Sequence, residues 1–148
     1  MRPYPLLLNI KGKPVVVVGG GKVALRKVVS LLESGAAVTV VSPRVEPELK
    51  DLLEKRRITW IAEPFDEALL ERDPTPVLIF GTTDRNEVNV RIHRAATVKR
   101  IPCNIADVPD LCTFTVPAVV SRGDFTIAIS TGGASPALAR RIREEVEA

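Results

Sequence analysis

Cysteine, histidine and aromatic side chains are scarce in this chain. Two cysteines, one histidine, one tryptophan and one tyrosine are spread over 148 residues. Cys103 and Cys112 do not form a Cys-x-x-Cys pair, and His93 is the sole imidazole. No zinc site can be assembled from the usual ligands with that set, and both thiols read as reduced, buried or partly buried side chains. Aromatics make up only 4% of the residues and no basic stripe is interleaved with them, which argues against nucleic acid as a partner. Apolar runs are too short to cross a bilayer. The segment Met1–Asn9 is interrupted by prolines and has only a few consecutive apolar residues, so it does not read as a secretory signal; the expected location is the cytoplasm. The net charge of +3 is mild. It permits an anionic ligand without demanding one. There are no internal repeats and no low-complexity tracts.

The most informative stretch that is present is Val15-Val-Val-Val-Gly19-Gly20-Gly21-Lys22-Val23-Ala24. A β-branched apolar run leads into glycines and then at once into a helical pattern. That is the strand-turn-helix of a dinucleotide-binding unit in its GxGxxA form. Gly19 allows the tight turn, Gly21 lets the backbone approach a pyrophosphate, and Ala24 lets helix and strand pack closely. The helix start, with Lys22 and Val23, offers free N–H groups and a positive dipole end to phosphates. Lys22 does not make this a P-loop, because no Gly-Lys-Ser/Thr follows at the required spacing.

Apolar periodicity predicts a strand at Val15–Val18, a helix over Val23–Glu33 ended by Gly35, and a strand at Val38–Val41. A helix from Pro47 to about Arg56, a strand at Ile58–Ile61 and a short helix near Glu67–Glu71 follow. Val77–Phe80 reads as a buried strand, Arg85–Lys99 as a helix and Ile101–Ile105 as a further strand. Strands apolar on both faces and alternating with helices imply a parallel sheet covered on both sides. After Asp107 the pattern changes. Thr113–Val120 and Asp124–Ile129 read as two adjacent strands with Arg122-Gly-Asp124 turning between them. Ser135 and Pro136 suit the cap and first position of a closing helix. The expected organisation is an α/β Rossmann-type domain over residues 1–112 and a small β-hairpin-plus-helix dimerisation segment over 113–148. A two-stranded hairpin is marginal alone, so a second subunit is its natural cover and a homodimer is expected. Glu144, Glu145 and Glu147 in the last turn oppose the helix dipole, so the native helix is expected to continue beyond Ala148.

Ligands of open parallel sheets lie at the carboxyl ends of the strands. The candidate contacts are therefore Gly19–Val23, Ser42–Arg44, Gly81–Asp84 and Asn104–Asp107. No carboxylate follows the second strand at Pro43-Arg44, where one holding the NAD ribose usually falls. Arg44 could pair with a 2′-phosphate, which favours NADP from the residues alone, or it is a solvated loop charge. Thr82 and Thr83 sit where they could meet cofactor or substrate. Asp84 and Glu87 fit a capping box for the next helix. Asp107 either forms a turn or serves as a catalytic base beside a hydride acceptor. Ser130-Thr131-Gly132-Gly133 either accepts an anion before the last helix, with Arg140 and Arg141 adding positive potential, or is a linker. His93, in a charged helix, reads as solvated.

The chain also carries Pro5-Leu-Leu-Leu-Asn-Ile-Lys-Gly-Lys13, Val18-Gly-Gly-Gly-Lys-Val-Ala-Leu-Arg-Lys27, Pro64-Phe-Asp66, Thr82-Thr-Asp84 with Val88-Asn89, Cys103-Asn-Ile-Ala-Asp107, Phe114-Thr-Val-Pro-Ala-Val-Val120 and Ile129-Ser-Thr-Gly-Gly-Ala-Ser-Pro-Ala-Leu-Ala-Arg140. In this order they resemble the precorrin-2 dehydrogenase and sirohydrochlorin ferrochelatase family, the N-terminal module of siroheme synthases. The resemblance covers nearly the whole chain. It implies NAD-dependent oxidation of precorrin-2 to sirohydrochlorin, in many members followed by insertion of ferrous iron as a substrate. It also implies NAD rather than NADP, a dimer formed through the segment after the nucleotide-binding domain, and Pro43-Arg44 near the adenosine. Asp107 falls on the family's key aspartate, and Asn104 with Ser130, Thr131, Gly132 and Gly133 on its substrate side. The reading from another class is a non-catalytic NAD(H)-sensing module. Such modules normally carry an acid after the second strand and lack the Ser-Thr-Gly-Gly-x-Ser-Pro segment. A generic small dehydrogenase should show a Tyr-x-x-x-Lys pair, and Tyr4 lies too near the N-terminus to serve.

Overall fold

The computed structural model describes residues 2–148. The chain divides into two compact units. The larger spans Leu8–Phe114; the smaller joins residues 2–7 to Thr115–Ala148.

The larger unit is built on β1 (Pro14–Val18), α1 (Lys22–Glu33), β2 (Ala37–Val41), α2 (Pro47–Glu54), β3 (Thr59–Ile61), β4 (Leu78–Gly81), α3 (Asn86–Lys99) and β5 (Cys103–Ile105). Its strands form one parallel sheet in the order β3-β2-β1-β4-β5. The chain therefore moves outward twice from β1 and then returns across it, which is the topological switch that leaves a crevice at the carboxyl edge. Alternation along β1 sends Val15 and Val17 into one core with Ala24, Val28 and Leu31 of α1 and Leu49 of α2. Val16 and Val18 enter the other core with Ile79, Ile92, Ala96 and the short 3-10 turn Glu67–Glu71. Each face thus carries an apolar cluster, as the β-branched runs require. The β3-to-β4 connection supplies only that 3-10 turn, so part of the second face stays open. A groove of about 510 Å³ there is lined by Pro14, Ala37, Arg56, Arg57, Arg72 and Leu69, among others.

Helix α1 ends as Gly35 predicted. Gly35 has φ +79°, its N–H donates to the Leu32 carbonyl at 3.0 Å, and Ala36 N–H donates to the Leu31 carbonyl at 3.1 Å. Those paired bonds consume carbonyls that the helix leaves orphaned.

The smaller unit contains β6 (Ala118–Arg122) and β7 (Phe125–Ile129), antiparallel with Arg122 opposite Phe125, and α4 (Pro136–Glu147). Gly123 at φ +60° opens the two-residue turn, as a type II′ hairpin demands. Ser135 Oγ accepts the Leu138 N–H at 3.2 Å and Pro136 follows it, so the predicted cap and first helical position hold.

Three expectations fail locally. No strand runs from Thr113 to Val120. Pro117 has no N–H to give a ladder, and β6 begins only after it. The residues before it serve β5 instead: Thr113 N–H donates to the Cys103 carbonyl and Cys103 N–H donates to Thr113 Oγ1, both at 2.8 Å. Asp84 does not cap α3. Arg85 holds the cap position without a side-chain bond to the helix, and Glu87 pairs with Arg85. His93 is not a solvated side chain: it is half-buried, with Nδ1 at 3.0 Å from the Leu111 carbonyl.

Candidate functional site

The carboxyl ends of β1, β4 and β5 are in register. Val18 lies beside Gly81, and Gly81 beside Ile105. The turns that begin at Gly19, Thr82 and Ala106 therefore follow one another along one lip of the sheet.

The glycine turn is held by its neighbours. Gly19 has φ +119° and donates its N–H to the Val41 carbonyl at 2.9 Å. A Cβ there would lie 2.3 Å from Thr82 Oγ1, which donates to the Val18 carbonyl at 2.8 Å. Gly20 is as constrained. A Cβ on it would lie 2.0 Å from the Arg44 carbonyl oxygen, and its own carbonyl accepts the Glu46 N–H at 2.8 Å. Ser42 Oγ closes the same loop by donating to the Arg44 carbonyl at 2.6 Å. This places Pro43 and Arg44, both exposed, directly after the strand that flanks the turn.

Gly21 differs from both. Nothing lies within 4 Å of a Cβ built on it, and it is exposed. It is the N-cap of α1 with no side-chain cap bond and no acidic residue in the first turn. The amides of Lys22, Val23 and Ala24 find no acceptor among the described residues. Ala24 itself is fully buried against the sheet. Open space over a glycine and three unspent N–H groups at the positive end of a helix suit a pyrophosphate. The residues present fit a dinucleotide.

At the β4 end, Thr83 is tied down and Asp84 is exposed. Thr83 Oγ1 donates to Asn89 Oδ1 at 2.7 Å and accepts the Arg85 N–H at 3.3 Å, while Asn89 Nδ2 donates to the Thr83 carbonyl at 3.1 Å. The hydroxyl ties the turn to α3 through Asn89 without capping the helix, and the Asp84 carboxylate stays exposed on the lip. At the β5 end, Asn104 is buried with Nδ2 donating to the Phe114 carbonyl at 3.0 Å. Ala106 N–H donates to the Gly81 carbonyl at 2.8 Å. Asp107 follows at φ +61°, exposed. That conformation is uncommon for a residue with a side chain, though Asp tolerates it better than most. The turn beyond it is pinned by Cys112, whose Sγ lies 3.2 Å from both Ile105 N and Ile105 O and 3.4 Å from the Val108 carbonyl. Both cysteines are free thiols. Burial pushes the Cys103 thiol up to about 12, so it stays protonated.

Lys27, on α1, is half-buried with Nζ at 5.7 Å from the Phe80 ring centroid. Phe80 in turn meets Phe114 edge to face at 5.5 Å. Burial, and then Arg26, hold the ammonium below the usual lysine range, while Cys112 and Asp107 act the other way.

In the smaller unit, Ser130 Oγ accepts the Gly132 N–H at 3.1 Å and Thr131 Oγ1 accepts the Ser135 N–H at 2.9 Å. Gly132 and Gly133 have φ +66° and +88°, and the space over Gly133 is open. Arg140 and Arg141 do not lend free charge to this turn; their guanidinium groups engage Glu144 and Glu145 at 3.0 and 3.2 Å. Among the described residues, no three His, Cys, Asp or Glu side chains gather as metal ligands, and no helix is long and apolar enough to cross a membrane.

Gly20, Asn89 and Lys27 were not singled out as site residues by the sequence. Only the run of three glycines hinted at Gly20. Asn89 and Lys27 stood only within stretches that carry the family resemblance, with no role assigned; the Thr83 turn and the Phe80 ring are what engage them.

The sheet order, the glycine turn at its middle strand and the uncapped helix start put the chain in the Rossmann class of dinucleotide-binding proteins. Comparison with known proteins narrows the class. Residues 6–118 match a family described as putative NAD(P)-binding, and residues 122–148 match the central region of sirohaem biosynthesis proteins. The siroheme synthase of Methylobacillus flagellatus is 42% identical over 147 residues, covering 99% of this chain and 31% of that protein. The siroheme synthase of Nitrosospira multiformis is 44% identical over 152 residues, with 99% and 31% covered. The solved structure of SirC, a precorrin-2 dehydrogenase, superposes with a TM-score of 0.83 at 33% identity, covering 98% of this chain and 70% of that one. The chain belongs to the precorrin-2 dehydrogenase family, the NAD-binding module found in siroheme synthases. It spans about a third of the length of the curated relatives it matches.

Proposed function

We propose that this protein oxidises precorrin-2 to sirohydrochlorin with NAD as the hydride acceptor. The observation that carries the reading is the single lip on which the open glycine turn, the Thr82–Asp84 turn and the exposed Asp107 follow one another in strand register. A dinucleotide laid across that lip has its pyrophosphate on the amides of Lys22, Val23 and Ala24 over Gly21, its adenosine end toward Pro43-Arg44 and its other end toward Thr82, Thr83, Asp84 and Asp107. When bound, NAD supplies an acceptor for a hydride from the macrocycle periphery.

The protein's own residues supply placement and a base. The turn fixed by Gly19 and Gly20 sets the height of the cofactor above β1. The Thr83–Asn89 pair holds the β4 turn still. Asp107 takes the proton that leaves the macrocycle along with the hydride, so one hydride and one proton account for the two-electron oxidation. Holding two reactants in register is a large part of such catalysis. Asn104, whose amide nitrogen is committed to Phe114, anchors the β5 end beside the substrate. Ser130, Thr131, Gly132 and Gly133 keep hydroxyl protons and left-handed backbone suited to the substrate's peripheral carboxylates.

The active form is a homodimer, and the smaller unit carries the interface. Leu138, Ile142 and Val146 recur one helical turn apart on α4 and are exposed, as is Phe125 on β7. A stripe of that kind on a two-stranded sheet and one helix favours a second copy as its cover. Enzymatic relatives and the missing acid after β2 favour an oxidoreductase over a nucleotide-sensing module.

The test is anaerobic mixing of the protein with precorrin-2 and NAD⁺, followed by absorbance. One NADH should form for each sirohydrochlorin. A protein that binds NAD⁺ yet leaves precorrin-2 unoxidised would overturn the reading. A parallel cuvette with ferrous iron as substrate reads metal insertion separately.

A further inference from the structure

We propose that Lys27 binds a carboxylate of the tetrapyrrole, and so fixes which edge of the macrocycle faces the dinucleotide. The inference rests on the proposed function above and adds a substrate contact to it.

Among the described lysines and arginines only Lys27 and Arg143 are not fully exposed. Arg143 has Glu144 and Glu147 within 4.0 Å. Lys27 has no carboxylate within that distance and no hydrogen bond among the described residues. A partly dehydrated ammonium without a counter-ion is costly, and folded proteins normally pair such groups. Among the described residues its close partner is the face of Phe80, at 5.7 Å from the ring centroid, and a ring quadrupole replaces only a fraction of a lost ion pair. The position is held open at an energetic cost, which suits a site that receives its anion from outside.

Its location selects among the anions at hand. The cofactor pyrophosphate is already provided for by the amides at the start of α1. Lys27 lies beyond that first turn, and helical side chains lean toward the N-terminus, so its ammonium is carried back toward the lip. It faces Phe80 on β4, and the carboxylate of Asp107 bears on it from the β5 side, with Arg26 from its own helix. The adenosine-side loop Ser42–Arg44 follows β2, across β1 from β4. Lys27 therefore belongs to the reacting end of the lip, where the substrate comes, and not to the adenosine end. A substrate bearing several acetate and propionate groups brings carboxylates to that place.

The experiment uses Lys27→Met and Lys27→Arg. Lys27→Met keeps the stem's packing and removes the charge; its melting temperature without ligands should equal or exceed that of the wild type, because an uncompensated charge has been removed. Its NAD⁺ affinity, by calorimetry, should stay within about twofold, while sirohydrochlorin binding by absorbance titration and KM for precorrin-2 should weaken by about 10- to 100-fold, the range of one charge-assisted hydrogen bond. Lys27→Arg should recover most of that loss. Full retention of sirohydrochlorin binding by Lys27→Met overturns the inference while leaving the proposed function standing. A loss of NAD⁺ affinity equal to the loss of tetrapyrrole affinity overturns it too, by assigning the charge to the dinucleotide. Failure of the wild type to bind sirohydrochlorin at all ends this inference and the proposed function together.

Discussion

Adding one methyl group at Gly20 and at the adjacent Gly21 should have opposite consequences. At Gly20 the new Cβ would sit 2.0 Å from the Arg44 carbonyl oxygen and 2.9 Å from Ser42 Oγ. The nearest obstacle is main chain, so no rotamer change relieves it. The Ser42–Glu46 loop must withdraw, which breaks the 2.8 Å bond from Glu46 N–H to the Gly20 carbonyl. Overpacking of this kind costs about 1–3 kcal/mol and the lost hydrogen bond about 1 kcal/mol. A total of about 2–4 kcal/mol is a large share of a typical domain's stability, and it corresponds to a fall in melting temperature of roughly 10 °C. At Gly21 a methyl meets nothing within 4 Å. Gly21→Ala should cost only the preference of an N-cap for glycine over alanine, less than about 1 kcal/mol. That methyl would occupy the space assigned to the pyrophosphate, so NAD⁺ affinity should fall by at least about tenfold, or ~1.4 kcal/mol. Thermal unfolding and calorimetric titration of the two variants separate the effects. A Gly20→Ala protein that melts with the wild type, or a Gly21→Ala protein that binds NAD⁺ as well as the wild type, would refute the geometry of the turn.

Other outcomes follow from the same structure. Asp107→Ala should lower kcat by about 10²–10⁴, the usual contribution of a positioned base, with NAD⁺ affinity unchanged; wild-type turnover in that variant would remove Asp107 from the chemistry. Cys103 should resist alkylation at mildly alkaline pH in the folded protein, since burial holds its pKa near 12 against a usual 9.0. The linked stability is fully present below pH 9 and is lost as pH rises from there toward 12, because only the unfolded thiol ionises in that window; denaturation at stepped pH reads it, and replacement of Cys103 by Ala should flatten the curve. Ile142→Lys should convert the proposed dimer to monomers in sedimentation while leaving the monomer's NAD⁺ affinity intact.

The centre of the fold was legible because its determinants are local. Four consecutive valines, three glycines and an amphipathic helix lie side by side in the sequence, and β1, the turn and α1 formed where that pattern put them. The misreadings occurred where two local signals competed or a distant group decided. Asp84 and Glu87 have capping-box spacing, yet α3 starts one residue later, with Arg85 at the cap position and Glu87 held by the Arg85 guanidinium. Thr113–Val120 looks like a strand by composition, but Pro117 interrupts the ladder and Thr113 is drawn to Cys103. Gly20 has to be glycine because of a carbonyl on Arg44, which no window around Gly20 contains. Lys27 reads as an ordinary polar residue of α1 until Phe80 is placed beneath it.

A crystal structure with NAD⁺ and sirohydrochlorin bound together would test the central claim most directly. The account predicts the pyrophosphate on the first amides of α1 above Gly21, and the macrocycle against the same lip with Asp107 on its reacting edge. A macrocycle seated elsewhere, for example in the arginine-lined groove at the other end of β1, β2 and β3, would contradict it.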